Sequence, residues 1–279
     1  MSDYILRNRR GNLVIRRFDR RSLVVALTFG VMAGLSLLAL FVMDKRGVDF
    51  FAALVKSVQD FGIMLFQAAA VRFTIADALY AVLVTLGLAF LTTLLGALIA
   101  LVLGLLAARN IGSPRLSGFI LAFVAFIRAV PTVIWVLVFA IGAGLGPIAA
   151  IVGMTFHTAG YLIKAYAESF EEIDASDIEA LRACGANKVQ IIFQAVLPAS
   201  FGYLLSWTFI RLEINYTTAV AMGAAAGAGG IGFDLFMASS FYFNIREVGI
   251  ITWFIFATAL VFEVVATHLR SKNKLASMA

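Results

Sequence analysis

Charged residues are scarce in this sequence of 279 residues: 14% are Asp, Glu, Lys or Arg, whereas 62% are hydrophobic. A soluble domain is about one quarter charged and about half apolar. The mean hydropathy is correspondingly high, at +0.97. This excess of apolar side chains must be solvated by membrane lipid. The composition therefore excludes an ordinary soluble domain and predicts an integral membrane protein.

Cysteine and histidine are nearly absent. Cys184 is the only cysteine, so the chain has no internal disulfide and no cysteine pair for a structural zinc site. His157 and His268 are far apart in sequence, and no H-E-x-x-H pattern occurs. No catalytic Ser-His-Asp set can be singled out. We therefore expect no bound metal or cofactor, no catalytic residues and no enzymatic activity.

The phosphate-binding pattern G-x-x-x-x-G-K-[ST] is also missing, so we expect that this chain does not itself hydrolyse ATP. A weaker glycine pattern is present: Gly227, Gly229 and Gly232 satisfy G-x-G-x-x-G. A dinucleotide site would require a strand before this pattern, whereas an apolar segment precedes it. Two interpretations remain open, a glycine turn whose amides face a cavity and a flexible packing element.

Basic residues are concentrated at the N-terminus, where seven of the 22 lie within the first 21 positions. A basic segment beside an apolar run is typical of a topology signal rather than of a nucleic-acid patch, so we expect no nucleic-acid partner. The following apolar run, residues 23–43, is longer than the core of a signal peptide and lacks a small-x-small site after it. It is predicted to be a membrane anchor.

Long apolar runs dominate the rest of the chain. A helix needs about 20 apolar residues to cross about 30 Å of hydrocarbon. Six segments meet this length: 23–43, 78–107, 116–142, 147–167, 199–222 and 248–269. Residues 48–71 differ, because polar side chains interrupt their helical apolar pattern. That pattern predicts an extracytoplasmic helix lying in the membrane interface.

Six spans place both termini on one side of the membrane. The basic flanks are concentrated on that side, so both termini are predicted to be cytoplasmic. The predicted fold class is an all-α integral membrane protein, a bundle of six transmembrane helices. The predicted segments are a cytoplasmic tail at 1–22, the first transmembrane helix at 23–43, an extracytoplasmic amphipathic segment at 44–75, a core at 76–270 and a cytoplasmic tail at 271–279.

The second predicted span carries a ladder of small residues spaced four apart. In lipid, such a face lets two helix backbones approach closely, so the ladder predicts a helix contact. Its members are Thr92, Gly96, Ala100, Gly104 and Ala108.

A polar segment, EALRACGANKVQIIFQAVLP at 179–198, interrupts the apolar runs. Ser176 and Glu179 match a capping box, which predicts a helix over 177–184. Gly185 is predicted to end that helix in a left-handed conformation, and Asn187 is predicted to begin a second helix. Pro198 should interrupt this second helix at the fifth span. An ordinary loop with capping residues is the alternative interpretation.

Several ionisable residues lie within the predicted spans, where a charge costs about 2.5–3.5 kcal/mol on insertion scales. Arg128 lies halfway along the third span, three residues before Pro131. His157 lies within the fourth span, and Arg211 and Glu213 lie within the fifth. Two hypotheses remain open: mutual pairing, for example of Arg128 with Glu213, and contact with a substrate. Nearer the cytoplasmic ends, snorkelling accounts for the charges, which are Lys164, Glu168 and Glu263.

The polar segment resembles the EAA loop of permease subunits of ABC importers, E-A-A, three residues, G, nine residues, I-x-L-P. Five specified positions match and two differ, Leu181 and Ala195. In that family the loop is a cytoplasmic coupling helix that docks on the ATP-hydrolysing subunit. The resemblance therefore implies that seven residues couple this chain to an ATPase: Glu179, Ala180, Arg182, Gly185, Ala186, Leu197 and Pro198.

Three further passages resemble permeases of phosphonate and phosphite importers. They are FIRAVPTVIWVLVFAIGAGLGP, FHTAGYLIKAYAESFEEID and FIRLEINYTTAVAMGAAAGAGGIGFDL, and the resemblance runs from about residue 75 to 270. It implies import of a phosphonate, phosphite or related phosphorus oxyanion. The implied substrate pathway consists of Arg128, Pro131, His157, Thr158, Arg211, Glu213, Asn215, Gly227, Gly229, Gly230 and Gly232.

The resemblance also implies the partners. ATP and Mg would bind to a separate ATPase dimer, an extracytoplasmic binding protein would deliver the substrate, and a second permease copy or a paralogue would complete the pathway. The location would be the bacterial inner membrane. The alternatives are an ABC permease for another small solute and an ion-coupled secondary transporter, in which the intramembrane Arg, Glu and His residues relay protons. A membrane-embedded enzyme fits less well.

Overall fold

Helices account for almost all of the chain that the computed structural model describes, namely residues 5–7, 13–15, 20–42, 47 and 49–276. The chain divides into two units, residues 1–58 and 59–279. The elements follow in order: β1 (Ile5–Arg7), β2 (Leu13–Ile15), α1 (Arg20–Val42), α2 (Phe50–Phe66), α3 (Ile75–Ala107), α4 (Pro114–Ala129), α5 (Thr132–Ala143), α6 (Pro147–Glu171), α7 (Ala175–Ala183), α8 (Lys188–Ile191), α9 (Leu197–Ala226), α10 (Gly230–Phe236) and α11 (Ile245–Ala276).

The first unit contains a feature that the sequence did not predict. The short strands β1 and β2 pair antiparallel, with Ile5 opposite Ile15. Most of the predicted tail at 1–22, and residues 277–279 of the predicted C-terminal tail, lie outside the described residues. α1 covers the predicted first span, and its described side chains are exposed apolar residues, as expected of a helix surrounded by lipid.

α2 confirms a helix within 48–71. At 17 residues it is about 25 Å long, which is shorter than the hydrocarbon core. None of its residues is buried. Its length therefore agrees with a helix in the interface rather than a span.

Five helices in the described part of the chain are long and apolar enough to cross a membrane, and six spans result if α4 and α5 count as one. α4 and α5 meet at an angle of 92°, so the single span predicted at 116–142 is not a straight helix. Pro131 has no N–H to continue a helix, and it forces the preceding Val130 into an extended conformation, with φ −99° and ψ 128°. The proline breaks the helix instead of only kinking it.

α6 lies at the centre of the second unit. Both α4 and α5, which we call the broken pair, pack on glycines of α6. A Cβ atom on Gly153 would lie 2.6 Å from Val136 Cα of α5, and one on Gly160 would lie 2.7 Å from Ile127 Cγ2 of α4. The absence of side chains at these two positions lets α4 and α5 pack directly on α6.

The small-residue ladder of α3 packs on another face of α6. All five of its members are buried. A Cβ atom on Gly96 would lie 2.5 Å from Thr158 Cγ2, and one on Gly104 would lie 3.0 Å from Tyr166 Cβ. The predicted close helix contact is therefore confirmed.

Candidate functional site

Residues 172–198, which include the polar segment, form a helix-turn-helix. We call this range the coupling loop, after the role that the resemblance implies. α7 begins two residues earlier than predicted, because Asp174 rather than Ser176 is its N-cap. The Asp174 carboxylate accepts a hydrogen bond from the Ser176 N–H at 2.9 Å. This bond lowers the pKa of Asp174. The predicted capping box of Ser176 and Glu179 is wrong, since the short Asp174 side chain satisfies this helix end first.

Gly185 ends α7 in the left-handed conformation that the sequence predicts, with φ +84°. The Gly185 N–H donates to Arg182 O at 2.9 Å, and the Ala186 N–H donates to Leu181 O at 3.0 Å. These two bonds form a Schellman motif. Nothing lies within 4 Å of a Cβ atom built on Gly185, so the backbone conformation alone requires glycine here.

The second half of the coupling loop follows the prediction at Asn187, whereas Pro198 does not interrupt the helix, which continues over Lys188–Ala226. Asn187 caps α8 through a reciprocal box: its side chain accepts from the Gln190 N–H at 2.9 Å, and Gln190 Oε1 accepts from the Asn187 N–H at 2.8 Å. Residues 192–196 then form a π-helical turn that leads into α9. Pro198 cannot donate to the preceding turn, and the wider π-helical turn accommodates this missing bond.

The coupling loop has a buried face and an exposed face. Ile178 and Ile191 are buried in the core around α6, and Leu181 packs against the same core. The larger Leu181 in place of alanine thus fills space at this contact. The predicted coupling residues are exposed except for the half-buried Ala186 and Leu197; the exposed ones are Glu179, Ala180, Arg182, Gly185 and Pro198. Two apolar side chains, Val189 and Phe193, are 61% and 66% exposed beside them.

A buried polar cluster lies where α3, α6 and α9 meet. Asn215 is fully buried, and its amide nitrogen donates to Thr93 Oγ1 at 2.8 Å and to Thr158 Oγ1 at 3.0 Å. Thr92 lies at the edge of the same cluster, 3.5 Å from the amide nitrogen. The sequence prediction included Thr158 and Asn215 but missed the partner Thr93, which follows the first residue of the small-residue ladder.

Arg211 extends this cluster towards α5. Its side chain is 3% exposed, and its Nη2 lies 2.9 Å from His157 Nδ1. A guanidinium group only donates, so Nδ1 must accept, and the His157 proton is therefore on Nε2. Thr132 Oγ1 lies 3.0 Å from the same ring nitrogen, and Arg211 Nε also donates to Thr158 Oγ1 at 3.3 Å. All these hydrogen-bond partners of Arg211 are neutral.

Arg128 and Glu213 do not form the ion pair considered for them. Arg128 is exposed at the end of α4, and its guanidinium carbon lies 5.4 Å from the centre of the Tyr161 ring. Arg211 lies over the same ring at 5.1 Å. Glu213 is half-buried, and no ion pair joins it to either arginine in the described residues. Tyr161 thus connects the two arginines, a role that the sequence analysis missed.

The glycine segment 227–232 lies apart from these charges, because its start is 16 residues, about 24 Å, along the chain from Arg211. Gly227 ends α9 at φ +64°, and the Ile231 N–H donates to Thr85 Oγ1 at 3.0 Å. A Cβ atom on Gly232 would overlap Val220 O. The dinucleotide interpretation fails because α9, not a strand, precedes the segment. Close packing of α10 on α3 and α9 accounts for Gly230 and Gly232, whereas Gly227 and Gly229 have positive φ angles and open space around them.

Comparison with known proteins places this arrangement in a family. Residues 100–271 match the family described as binding-protein-dependent transport system inner membrane component. The phosphate-import permease protein PhnE of Mycolicibacterium smegmatis is 32% identical over 87% of this chain and 43% of its own length. The phosphite transport system permease protein PtxC of Stutzerimonas stutzeri is 31% identical over 68% of this chain and 69% of its own. The chain thus spans less than half of the first of these relatives.

A solved structure shares the fold. A chain of the inward-facing MetNI methionine ABC transporter superposes with a TM-score of 0.62, at 24% identity, over 70% of this chain and 95% of that one. The family match covers the broken pair of α4 and α5, the coupling loop, and Thr158, Arg211 and Asn215 of the buried polar cluster. The chain therefore belongs to the family of binding-protein-dependent transport system inner membrane components.

Proposed function

We propose that this chain is the permease subunit of an ATP-driven importer of a phosphorus oxyanion, such as a phosphonate or phosphite. The observation that carries the importer assignment is the coupling loop. Its buried face, at Ile178 and Ile191, is anchored in the α6 core, while five of the seven predicted coupling residues are exposed. An exposed helix that is rigidly joined to the bundle is suited to transmit the motion of a docked ATPase subunit.

The partners follow from this arrangement. ATP and Mg bind to a separate ATPase dimer, which docks on the coupling loop through Val189, Phe193 and the exposed EAA residues. One chain supplies one coupling loop, so a second copy or a paralogue completes the importer. An extracytoplasmic binding protein delivers the substrate. Both termini lie in the cytoplasm, as the basic flanks indicate.

The substrate class rests on Arg211 and on the relatives. A nearly buried guanidinium without a carboxylate partner in the described residues favours an anion, and it matches phosphoryl oxygens in bidentate geometry. The names of the two relatives refer to phosphate and phosphite import. The proposed pathway includes Arg128, Pro131, His157, Thr158, Arg211, Glu213 and Asn215. It also includes the glycine segment, in which Gly227, Gly229 and Gly230 have positive φ angles and Gly232 lets α10 pack closely on α9.

The importer assignment is tested by co-purification. An ATPase subunit should remain bound to the chain in detergent, and substitution of both Val189 and Phe193 with Asp should release it. The control is Phe243→Asp, which changes an exposed apolar residue outside both the coupling loop and the predicted spans. Retention of the ATPase by the double variant, or equal loss with the control, would contradict docking at the coupling loop.

A further inference from the structure

A cavity of about 580 Å³ opens between α4 and α6, at the end of the bundle that adjoins the coupling loop. This volume lies within the range of small-molecule sites, about 300–1,000 Å³. Small and apolar side chains, including Ala125, form part of its wall. The charged residues of the wall are Arg109, Arg128, Lys164, Glu168 and Glu171.

Two of the three cations in this wall lack an ionic partner in the described residues. Lys164 Nζ lies 3.6 Å from Glu168 Oε1. Glu171 Oε1 instead accepts the backbone N–H of Arg109 at 2.7 Å, and the Arg128 guanidinium faces the Tyr161 ring. The guanidinium groups of Arg109 and Arg128 are therefore available to an anion, which such groups bind through paired N–H donors.

One face of α6 connects this cavity with Arg211. His157, Tyr161 and Lys164 are spaced four and three residues apart, so they lie on the same side of the helix. Lys164 is about 10 Å along α6 from His157. The Tyr161 ring between them contacts the guanidinium groups of both Arg128 and Arg211. An anion leaving Arg211 along this face meets Arg128 next and Lys164 after it.

We propose that the cavity is a second anion-binding station, in which Arg109, Arg128 and Lys164 receive the oxyanion after Arg211. The proposal rests on the proposed function for its substrate class. It replaces the expectation that Lys164 and Glu168 merely snorkel. The two nearby carboxylates, Glu168 and Glu171, weaken the hold on an anion, so that the ion dwells briefly and moves on.

The anion preference of the cavity can be measured without transport. Ala125→Cys, in a Cys184→Ser background of the full chain, places one thiol in the wall. Its reaction rate with an anionic sulfonatoethyl methanethiosulfonate is compared with that of a neutral analogue. Neutralising the cavity with Arg109→Gln and Lys164→Gln should lower the anionic-to-neutral ratio about threefold or more, because local positive charge steers anions. Millimolar inorganic phosphate should slow the reaction of this thiol with the anionic reagent when Arg109 and Lys164 are present. It should have no such effect in the double variant.

The matched control is Arg115→Gln, which removes one positive charge from the exposed start of α4, outside the cavity. It should change the ratio by less than about 1.5-fold, because the solvent screens its charge. An equal ratio in the unaltered, Arg115→Gln and double variants, with no effect of phosphate, overturns the proposal.

Uptake then tests the place of the station on the route. With the whole importer reconstituted, the double variant should take up methylphosphonate about tenfold more slowly, whereas Arg115→Gln should stay within about twofold, a factor of ten being about 1.4 kcal/mol. If the anionic-to-neutral reaction ratio falls in the double variant but uptake does not, the cavity binds anions away from the transport route. That result would contradict the proposed second station. If the unaltered importer takes up no phosphorus oxyanion, the proposed substrate fails, and the thiol ratio still decides whether the cavity prefers anions.

Discussion

At the scale of single residues, Arg211 is the unusual feature of the bundle. A buried charge is normally paired with an opposite charge, because the loss of hydration is costly. Arg211 has Thr158 and neutral His157 as hydrogen-bond partners and the Tyr161 ring beside it. The position of Arg211 midway along a predicted span was enough to make it a candidate site residue. Its neighbours could not be predicted, since they come from α6, whose rotation relative to α9 depends on packing.

Arg211→Gln separates a substrate role from a structural role. Glutamine can still donate to Thr158 or His157, and it removes an unpaired buried charge. The apparent melting temperature of the detergent-solubilised subunit should therefore stay constant or rise. Uptake of phosphite or methylphosphonate should fall at least about tenfold, equivalent to about 1.4 kcal/mol.

Thr217→Ala is the control for this measurement, because its exposed side chain bonds only to its own helix backbone, at Ile214 O. It should leave both melting and uptake near their unaltered values. The contrary outcome is that Arg211→Gln lowers the melting temperature while the importer that still assembles transports at the unaltered rate. In that case Arg211 stabilises the fold and does not contact the substrate.

At the scale of elements, local chemistry decided which sequence predictions held. The turn at Gly185 and the cap at Asn187 depend on one or two residues each, so they could be predicted. The interruption expected at Pro198 did not occur, because a π-helical turn keeps the helix continuous. The start of α7 could not, because Asp174 and Ser176 both suit an N-cap. The 92° bend at Pro131 also depends on Gly153 and Gly160, which let α4 and α5 reach α6 separately. Such distant contacts are not visible in local sequence.

Gly185→Val tests the shape of the coupling loop. A β-branched residue is strongly disfavoured at φ +84°, so α7 should lose its Schellman motif while the bundle still inserts. ATPase binding and uptake should fall together at normal membrane abundance. Gly185→Asn is the matched variant, because asparagine tolerates this conformation, and it should retain most of both activities. Full activity of Gly185→Val would falsify the backbone requirement.

Gly96→Ala tests the contact of α3 with α6. The added Cβ atom would lie 2.5 Å from Thr158 Cγ2, and overpacking of this kind costs about 1–3 kcal/mol. The apparent melting temperature should drop. Gly87→Ala, on the same helix with nothing within 4 Å, should leave it unchanged or raise it through helix propensity. Equal melting of the two variants would contradict the close packing.

At the scale of the whole molecule, composition was enough to predict a multi-pass membrane protein, and the helices confirm the predicted apolar segments apart from the break at Pro131. Orientation depends on the distribution of basic residues, which favours cytoplasmic termini. We therefore propose that Cys184, which is exposed in the coupling loop, faces the cytoplasm.

Thiol labelling tests this orientation. Cys184 should resist an impermeant maleimide in intact cells and react after the cells are opened. In a Cys184→Ser background, Gln59→Cys on exposed α2 should label from outside. Labelling of Cys184, but not of Gln59→Cys, in intact cells would reverse the proposed topology.

We propose that ATP hydrolysis on a partner subunit drives an oxyanion through this bundle, and uptake into proteoliposomes can measure this transport. The importer, reconstituted with its ATPase and binding protein, should accumulate methylphosphonate or phosphite when ATP and Mg are present on the ATPase side. This accumulation should persist with a protonophore and stop when the ATP is replaced by a nonhydrolysable analogue. Accumulation without ATP that an imposed proton gradient drives and a protonophore abolishes would contradict the account and indicate an ion-coupled transporter.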